Sequence, residues 1–278
     1  MKLGRALDKL ADYAGEAPPT GLGDRVTLLG KMGLRAVRSS ARSRRFDRPP
    51  IVIGGCGRSG TTLLLAVLSA HPSIFSIPVE TLAFCPAGYL PDPDLDHPFE
   101  PRRIRRQLWL QEIPEGRRRW CEKTPRNVLY FERILDHFGG EVRLINLVRD
   151  GRDVITSRHP TDPSRYWVSP QRWIRDVGAG RRLEDHAHVT TVRYEDLVHR
   201  FEDTARHLCE FLDEPVAPEM LEWHRHATVR TNAAWFGKVE PLHAQSVARW
   251  QKPEHAAVVE ELLGDPEARS LLDHYDYR

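Results

Sequence analysis

The 278-residue chain is short of lysine, cysteine and long apolar runs, and each shortage narrows what it can be. Only Lys2, Lys9, Lys31, Lys123, Lys238 and Lys252 stand among 41 basic residues, so arginine is the default cation. Arginine runs therefore say little, while a single well-placed lysine says more. The four cysteines, Cys56, Cys85, Cys121 and Cys209, form no CxxC pair and have no histidine at ligand spacing beside them. That argues against a zinc ribbon or a disulfide framework and for a reducing, cytoplasmic setting. Apolar stretches such as Leu63 to Leu68 and Leu144 to Val148 fall far below the ~18 residues a membrane-spanning helix needs. Lys9, Asp12, Arg25, Lys31 and Arg35 interrupt every candidate leader, so the mature chain is expected to start at or near Met1. Net charge is small as well: 41 Lys+Arg against 39 Asp+Glu leaves +2, without the field of a dedicated nucleic-acid binder. The 13 histidines contain no HExxH or comparable pattern, and no metal is expected. What is present, 40% hydrophobic and 29% charged residues, suits a packed globular protein of one large domain or two small ones.

Residues 1–48 are locally basic, with Arg35, Arg38, Arg42, Arg44, Arg45 and Arg48 crowding their end. They read as one or two helical stretches and a polar linker, either a solvated appendage or a peripheral contact for an acidic membrane surface or partner. From 49 to 278 a single domain is expected. Strand-like runs at Ile51 to Gly55, Trp120 to Glu122, Val142 to Val148 and His188 to Tyr194 alternate with helical runs. The helical runs are Thr61 to Ala70, Asn127 to Phe138, Asp150 to Arg158 and Glu195 to Leu212. This alternation predicts an α/β fold, a parallel sheet flanked by helices on both faces. Residues 86–101 and 227–247 lack periodicity and are expected as irregular loops shaping a pocket at the carboxyl ends of the strands.

The strongest local signal joins a strand, a glycine-rich turn and a helix start. Gly54, Gly55, Gly57 and Gly60 let the backbone turn sharply, and the helix start at Thr61 adds positive potential, so an anion is the natural guest. Matching Gly55 and Gly60 to the phosphate loop G-x-x-x-x-G-K-[ST] puts Thr61 where the lysine belongs. A nucleotide kinase or NTPase needs that lysine and a magnesium site, for which Asp150 would be the carboxylate. Here the cation is Arg58, within the bend, followed by the hydroxyls of Ser59, Thr61 and Thr62.

Gly57-Arg58-Ser59-Gly60-Thr61-Thr62-Leu63 resembles the 5′-phosphosulfate loop of sulfotransferases that use 3′-phosphoadenosine 5′-phosphosulfate (PAPS), in the Arg-Ser-Gly-Thr-Thr form of tyrosylprotein and many bacterial members. A second, independent segment supports it: Leu147 to Ser157 resembles the family's 3′-phosphate segment, in which Arg149 and Ser157 would hold the nucleotide's 3′-phosphate. The alternative for that pair is a local Arg149–Asp150 ion pair and a surface serine. Trp120-Cys121-Glu122-Lys123-Thr124-Pro125 resembles the segment carrying a lysine that faces the leaving-group oxygen, here Lys123, which otherwise is a surface lysine. Val192-Arg193-Tyr194-Glu195-Asp196-Leu197 resembles the segment whose tyrosine lies near the adenine, although Tyr194 could equally be a core aromatic. Ser246-Val247-Ala248-Arg249-Trp250 sits where relatives close a basic and tryptophan pair over the nucleotide, but the KGxxG pattern is absent.

The resemblance covers roughly 50–275 and implies a P-loop-like sulfotransferase fold moving a sulfuryl group from PAPS to an acceptor hydroxyl or amine. Adenosine 3′,5′-bisphosphate (PAP) would be the product. Arg58 and Lys123 would meet the charge growing on the leaving oxygen, and a general base must take the acceptor's proton. His71-Pro72 followed by Glu80-Thr81 matches the segment carrying a glutamate base in tyrosylprotein-type members, which points to Glu80; the alternative is a solvated or helix-capping glutamate, with His97 or His159 as base. Relatives place an arginine after that Glu-Thr pair, whereas Leu82 stands here, so acceptor recognition is expected to differ. The acceptor, a small molecule, saccharide or lipid, is not named by the motifs. Two other functions compete: a P-loop kinase or NTPase, and a catalytically silent nucleotide-binding module.

Overall fold

The computed structural model describes residues 20–21, 23–31, 46–90, 93–159, 162–229 and 247–277. Apart from a helical stretch at 23–31, the basic region before 46 lies outside the described residues, as do Ser246 and most of the expected loop 227–247.

Five parallel strands form one sheet: β1 (Ile51–Gly55), β2 (Ile74–Ser76), β3 (Arg119–Lys123), β4 (Arg143–Val148) and β5 (Val189–Arg193), in the order β2-β3-β1-β4-β5. Strand residues alternate between faces as the two-residue period requires. Ile51, Ile53, Ile145 and Leu147 join one apolar cluster, while Val52 and Leu144 join another. On the first face lie α1 (Thr61–Ala70) and later helices of the chain. The second face packs Phe84, Ile104, Phe131 and Ile134 from the segments that follow β2 and β3. Both faces are therefore covered, as expected of a parallel sheet.

Of the four expected helices, one matches and three differ in detail. α1 begins and ends where the pattern places it. After Pro125 the chain makes a 3₁₀ turn, Pro125–Tyr130, and only then α3 (Phe131–His137). The run Glu195 to Leu212 is broken at Arg200 into α6 (Tyr194–His199) and α7 (Phe201–Leu212). The run after β4 is shortest: α4 covers Gly151–Ile155, so Ser157 does not lie two turns down a helix. Its hydroxyls explain the early stop, because Thr156 Oγ1 donates to the Arg152 carbonyl and Ser157 Oγ to that of Asp153, offering the backbone an alternative to further helix. Sequence periodicity also passed over β2, the basic helix α2 (Arg102–Leu110) and the C-terminal α8 (Ala256–Gly264) and α9 (Pro266–His274). The remaining long helix, α5 (Pro170–Arg181), starts at Ser169, whose Oγ accepts from the Arg172 amide.

The strand order reverses at β1: β3 and β2 lie to one side, β4 and β5 to the other. At such a switch point the loops leaving neighbouring strands diverge and open a crevice at their carboxyl ends. Gly55 of β1 pairs with Leu147 of β4, so the glycine-rich loop and Arg149 emerge side by side. The approach is close. A Cβ on Gly55 would lie 2.3 Å from the Leu147 carbonyl oxygen, and its φ of 147° disfavours any other residue. Gly55→Ala is expected to cost about 3 kcal/mol and lower the melting temperature by about 6–12 °C. Gly264→Ala, which meets nothing within 4 Å, is expected to shift it by under about 3 °C. Matching thermal melts of the two variants check both.

Candidate active site

The turn after β1 is built by left-handed backbone at two positions, Arg58 (φ 71°) and Gly60 (φ 96°), and closed by the Ser59 amide donating to the Cys56 carbonyl at 3.2 Å. Gly60 has no room for a side chain, since a Cβ there would sit 2.5 Å from the Tyr194 ring. α1 starts immediately after it with no side chain capping its first amides, and those amides have no acceptor within the helix. Ser59 is fully buried, and its Oγ has no hydrogen-bond partner among the described residues; nor does the buried Arg58 Nε. Uncapped amides, an orphaned hydroxyl and an orphaned guanidinium nitrogen around one tight turn fit an oxyanion.

Arg149 leaves β4 beside this turn. Its Nη1 donates to the Arg58 carbonyl at 3.1 Å, and its guanidinium lies 4.4 Å from the centroid of the buried Tyr194 ring. Arg249 joins from the far end of the chain. Burial, then the charges of Arg149 and Arg249, pulls Arg58 below its ordinary value. Burial and Arg149 do the same to Arg249, with Asp153 opposing. Three guanidiniums thus share one crevice, and the Nε of Arg249 is also buried without a hydrogen-bond partner among the described residues.

Asp153, which sequence reasoning missed, organises this group. One of its carboxylate oxygens lies 3.6 Å from Arg149 Nη2 and accepts from the Ala248 amide at 2.8 Å, while the other accepts from the Trp250 amide at 3.1 Å. It therefore ties the Arg249 segment down over the crevice. Its carbonyl takes the Ser157 hydroxyl at 2.9 Å, so Arg149 and Ser157 are linked through Asp153 rather than by direct contact. The i,i+4 spacing of Arg149 and Asp153 was the available signal. The expected local pair Arg149–Asp150 does not form: Asp150 takes Arg152 on both oxygens, at 2.7 Å for Oδ2 with Nη2. That arrangement leaves Asp150 poorly placed to serve as the magnesium ligand of a kinase.

The third group sits at the start of α1. Lys123, at the end of β3 and 1% exposed, places Nζ 3.1 Å from Thr62 Oγ1 and 2.5 Å from Glu80 Oε1. It is not a surface lysine. Glu80 is neither capping a helix nor free in solvent; its other oxygen accepts the Tyr89 hydroxyl. Withdrawal of that hydroxyl from water, then the Glu80 charge, holds the Tyr89 phenol well above its ordinary value. The expected alternatives lie elsewhere: His97 faces the Pro98 carbonyl, and the His159 ring lies 4.2 Å from that of Trp167, tilted by 42°.

Under this group lies a second missed residue, Glu122. It is fully buried and accepts from the amide and hydroxyl of Thr81, from Thr124 Oγ1 at 2.7 Å and from Asn127 Nδ2 at 2.7 Å. One carboxylate thereby clamps the neighbours of both Glu80 and Lys123, and a strained left-handed Leu82 (φ 53°) follows directly. Burial pushes the Glu122 carboxyl above its ordinary 4.5 against these four hydrogen bonds. A raised value means its share of stability is complete below 4.5 and is lost as pH rises through the raised value. Relative to Glu122→Gln, the wild-type chain is therefore expected to be most favoured near about pH 4 and to lose that advantage toward about pH 7, as read from urea unfolding at both pH values.

Comparison with known proteins agrees with this architecture. The model of the sulfotransferase family matches residues 49–218. The chain is 27% identical over 272 residues to a protein-tyrosine sulfotransferase of Drosophila melanogaster, covering 83% of this chain and 52% of that one. It is 28% identical over 247 residues to protein-tyrosine sulfotransferase 1 of Danio rerio, covering 73% and 66%. The chain thus spans about half the length of the fly relative and 66% of the fish one. In fold it resembles the sulfotransferase domain of the Synechococcus PCC 7002 olefin synthase, with a TM-score of 0.52 and 19% identity over 84% of this chain and 97% of that one. It also resembles a mouse sulfotransferase solved in complex with PAP, with a TM-score of 0.51 and 15% identity over 83% and 89%. With more than half of its length matched by the family model, the chain belongs to the sulfotransferase family.

Proposed function

We propose that this chain transfers a sulfuryl group from PAPS to an acceptor hydroxyl, releasing PAP. One observation carries the reading. Thr62 from the glycine-rich loop, Lys123 from β3 and Glu80 from the segment after β2 meet within 3.1 Å of the Lys123 ammonium. Three separate stretches of sequence thereby deliver a hydroxyl, a cation and a carboxylate to the mouth of an anion cradle. A silent binding module has no use for the carboxylate there. A kinase lacks its loop lysine and finds Asp150 already engaged by Arg152.

The donor supplies the sulfuryl group and two phosphates. In this reading the α1 amides, Ser59, Thr61 and Thr62 hold its 5′-phosphate, and Arg149 with Ser157 holds its 3′-phosphate. The Tyr194 ring supports the Arg149 guanidinium from one side, and Arg249 closes over the nucleotide. Lys123 and Arg58 donate to the oxygen on which negative charge grows as the sulfur–oxygen bond to the leaving phosphate breaks. Glu80 takes the acceptor's proton as the new sulfur–oxygen bond forms, and the fixed geometry replaces diffusive encounter. Asp153 and Glu122 position these groups and touch none of the reacting atoms.

Two measurements test the reading. Arg149→Ala is expected to weaken PAP binding at least about 30-fold by calorimetry, because it removes a buried cation from a phosphate; unchanged affinity contradicts it. Glu80→Gln is expected to keep PAP affinity within about twofold while lowering transfer of label from ³⁵S-PAPS to a panel of phenols and saccharides by about 10²–10⁴. Undiminished transfer removes Glu80 as the base.

A further inference from the structure

Beside the glycine-rich loop lies a cavity of about 670 Å³, lined by Tyr89, Arg126, Trp167, Arg172, Arg175 and Glu261 among others. It adjoins the loop, since a Cβ on Gly57 would lie 3.0 Å from Arg172 Nη2 and 3.5 Å from Trp167 Nε1. It adjoins the proposed base as well, because Tyr89 in its wall holds Glu80 through the phenol hydroxyl. An acceptor body in this cavity would bring a hydroxyl to Glu80 by exchange with that of Tyr89.

The cavity carries buried positive charge at Arg126 and Arg172 that nearby carboxylates balance only in part. Arg126 is 2% exposed; one terminal nitrogen donates to the Leu90 carbonyl, but its Nε has no hydrogen-bond partner. Arg172 Nε and Nη2 are likewise buried without a hydrogen-bond partner, and the nearest carboxylate, Asp176 at 3.5 Å, is shared with Arg175 at 3.1 Å. Glu261, an acid in the cavity wall, takes Gln171 Nε2 at 3.3 Å. Both guanidiniums lie against the same Tyr89 ring, 5.7 and 5.9 Å from its centroid. Withdrawing two cations from water to one aromatic ring costs several kcal/mol unless an anion answers them. The neighbouring cavity of about 700 Å³ that touches Glu80 directly is different. Its Arg102 and Arg103 are both matched by Glu100, at 2.9 and 2.8 Å.

We propose that the acceptor carries an oxyanion, a carboxylate or a phosphate, which Arg126 and Arg172 bind in this cavity while the acceptor's hydroxyl is presented to Glu80. Planar guanidiniums suit this task because their paired N–H groups match the geometry of an oxyanion. The proposal deepens the sulfuryl-transfer reading and rests on it. It also makes Arg126 and Arg172 determinants of specificity that stand outside the donor site.

Calorimetry on the full chain saturated with PAP tests it with two matched pairs of probes. 4-Hydroxyphenylacetate is compared with its methyl ester, and glucose 6-phosphate with glucose, so that carboxylate and phosphate are read separately. The charged member of at least one pair is expected to bind about tenfold or more tightly than its neutral partner. Arg172→Gln, and Arg126→Gln where it folds, are expected to erase that preference while PAP affinity stays within about twofold. Charged probes that bind no better than neutral ones, or not at all, overturn the proposal, as does a preference that survives Arg172→Gln. A wild-type chain that binds no PAP overturns the sulfuryl-transfer reading and this proposal with it, so the PAP titration tells the two failures apart.

Discussion

Three guanidiniums, those of Arg58, Arg149 and Arg249, are gathered at the crevice between the carboxyl ends of β1 and β4, and the architecture around them answers to that concentration of like charge. Each loses hydration there and each repels the others. Asp153 lies 3.6 Å from Arg149 and is also held by backbone amides, and the Glu195 carboxylate feels the Arg149 charge as well. Such a concentration of buried positive charge suits an anionic guest, which would lower its cost. The parallel sheet makes the gathering possible. Reversal of strand order at β1 brings the glycine-rich loop and Arg149 alongside each other, and the glycines at 55 and 60 lack the side chains that would hold the neighbouring segments apart.

The second constraint is the ion pair of Lys123 and Glu80 beside Thr62. A lysine ammonium is compact and can sit between a carboxylate and a hydroxyl where a guanidinium fork would not fit, which accounts for a lysine at this position in a chain that mostly uses arginine. The pair is held from beneath. Glu122 takes hydrogen bonds from Thr81 and Thr124, the residues next to Glu80 and Lys123, so the two flanking segments cannot drift apart without stripping a buried carboxylate of its donors. The left-handed Leu82 belongs to the same clamp: its amide reaches Thr124 Oγ1 and its carbonyl accepts Arg103. This backbone strain, about 1 kcal/mol, is sustained by the contacts on either side.

Much of this was legible in the sequence because it depends on local spacing. Gly57 to Thr62 and Leu147 to Ser157 announce strand, turn and helix start in consecutive residues, and the expected positions of Arg58, Arg149 and Tyr194 meet in one crevice. Lys123 stood out by rarity. The parts that were not legible depend on contacts between distant segments. Nothing in the spacing of Glu122 says that Thr81, 41 residues earlier, will donate to it twice. Tyr89 sits in an irregular loop with no periodicity, and Arg126 and Arg172 are hidden among the 41 basic residues. The helix after β4 ends at Ile155 rather than Arg158 for a related reason: the hydroxyls of Thr156 and Ser157 compete for the backbone carbonyls behind them.

The two-site crevice is tested most directly by titrating the wild-type chain with PAP and with adenosine 5′-monophosphate, which differ only in the 3′-phosphate. If the Arg149 and Asp153 group is the second half of one nucleotide site, PAP binds at least about 100-fold more tightly, with an advantage that shrinks as salt is raised. Equal affinities for the two nucleotides would contradict the account.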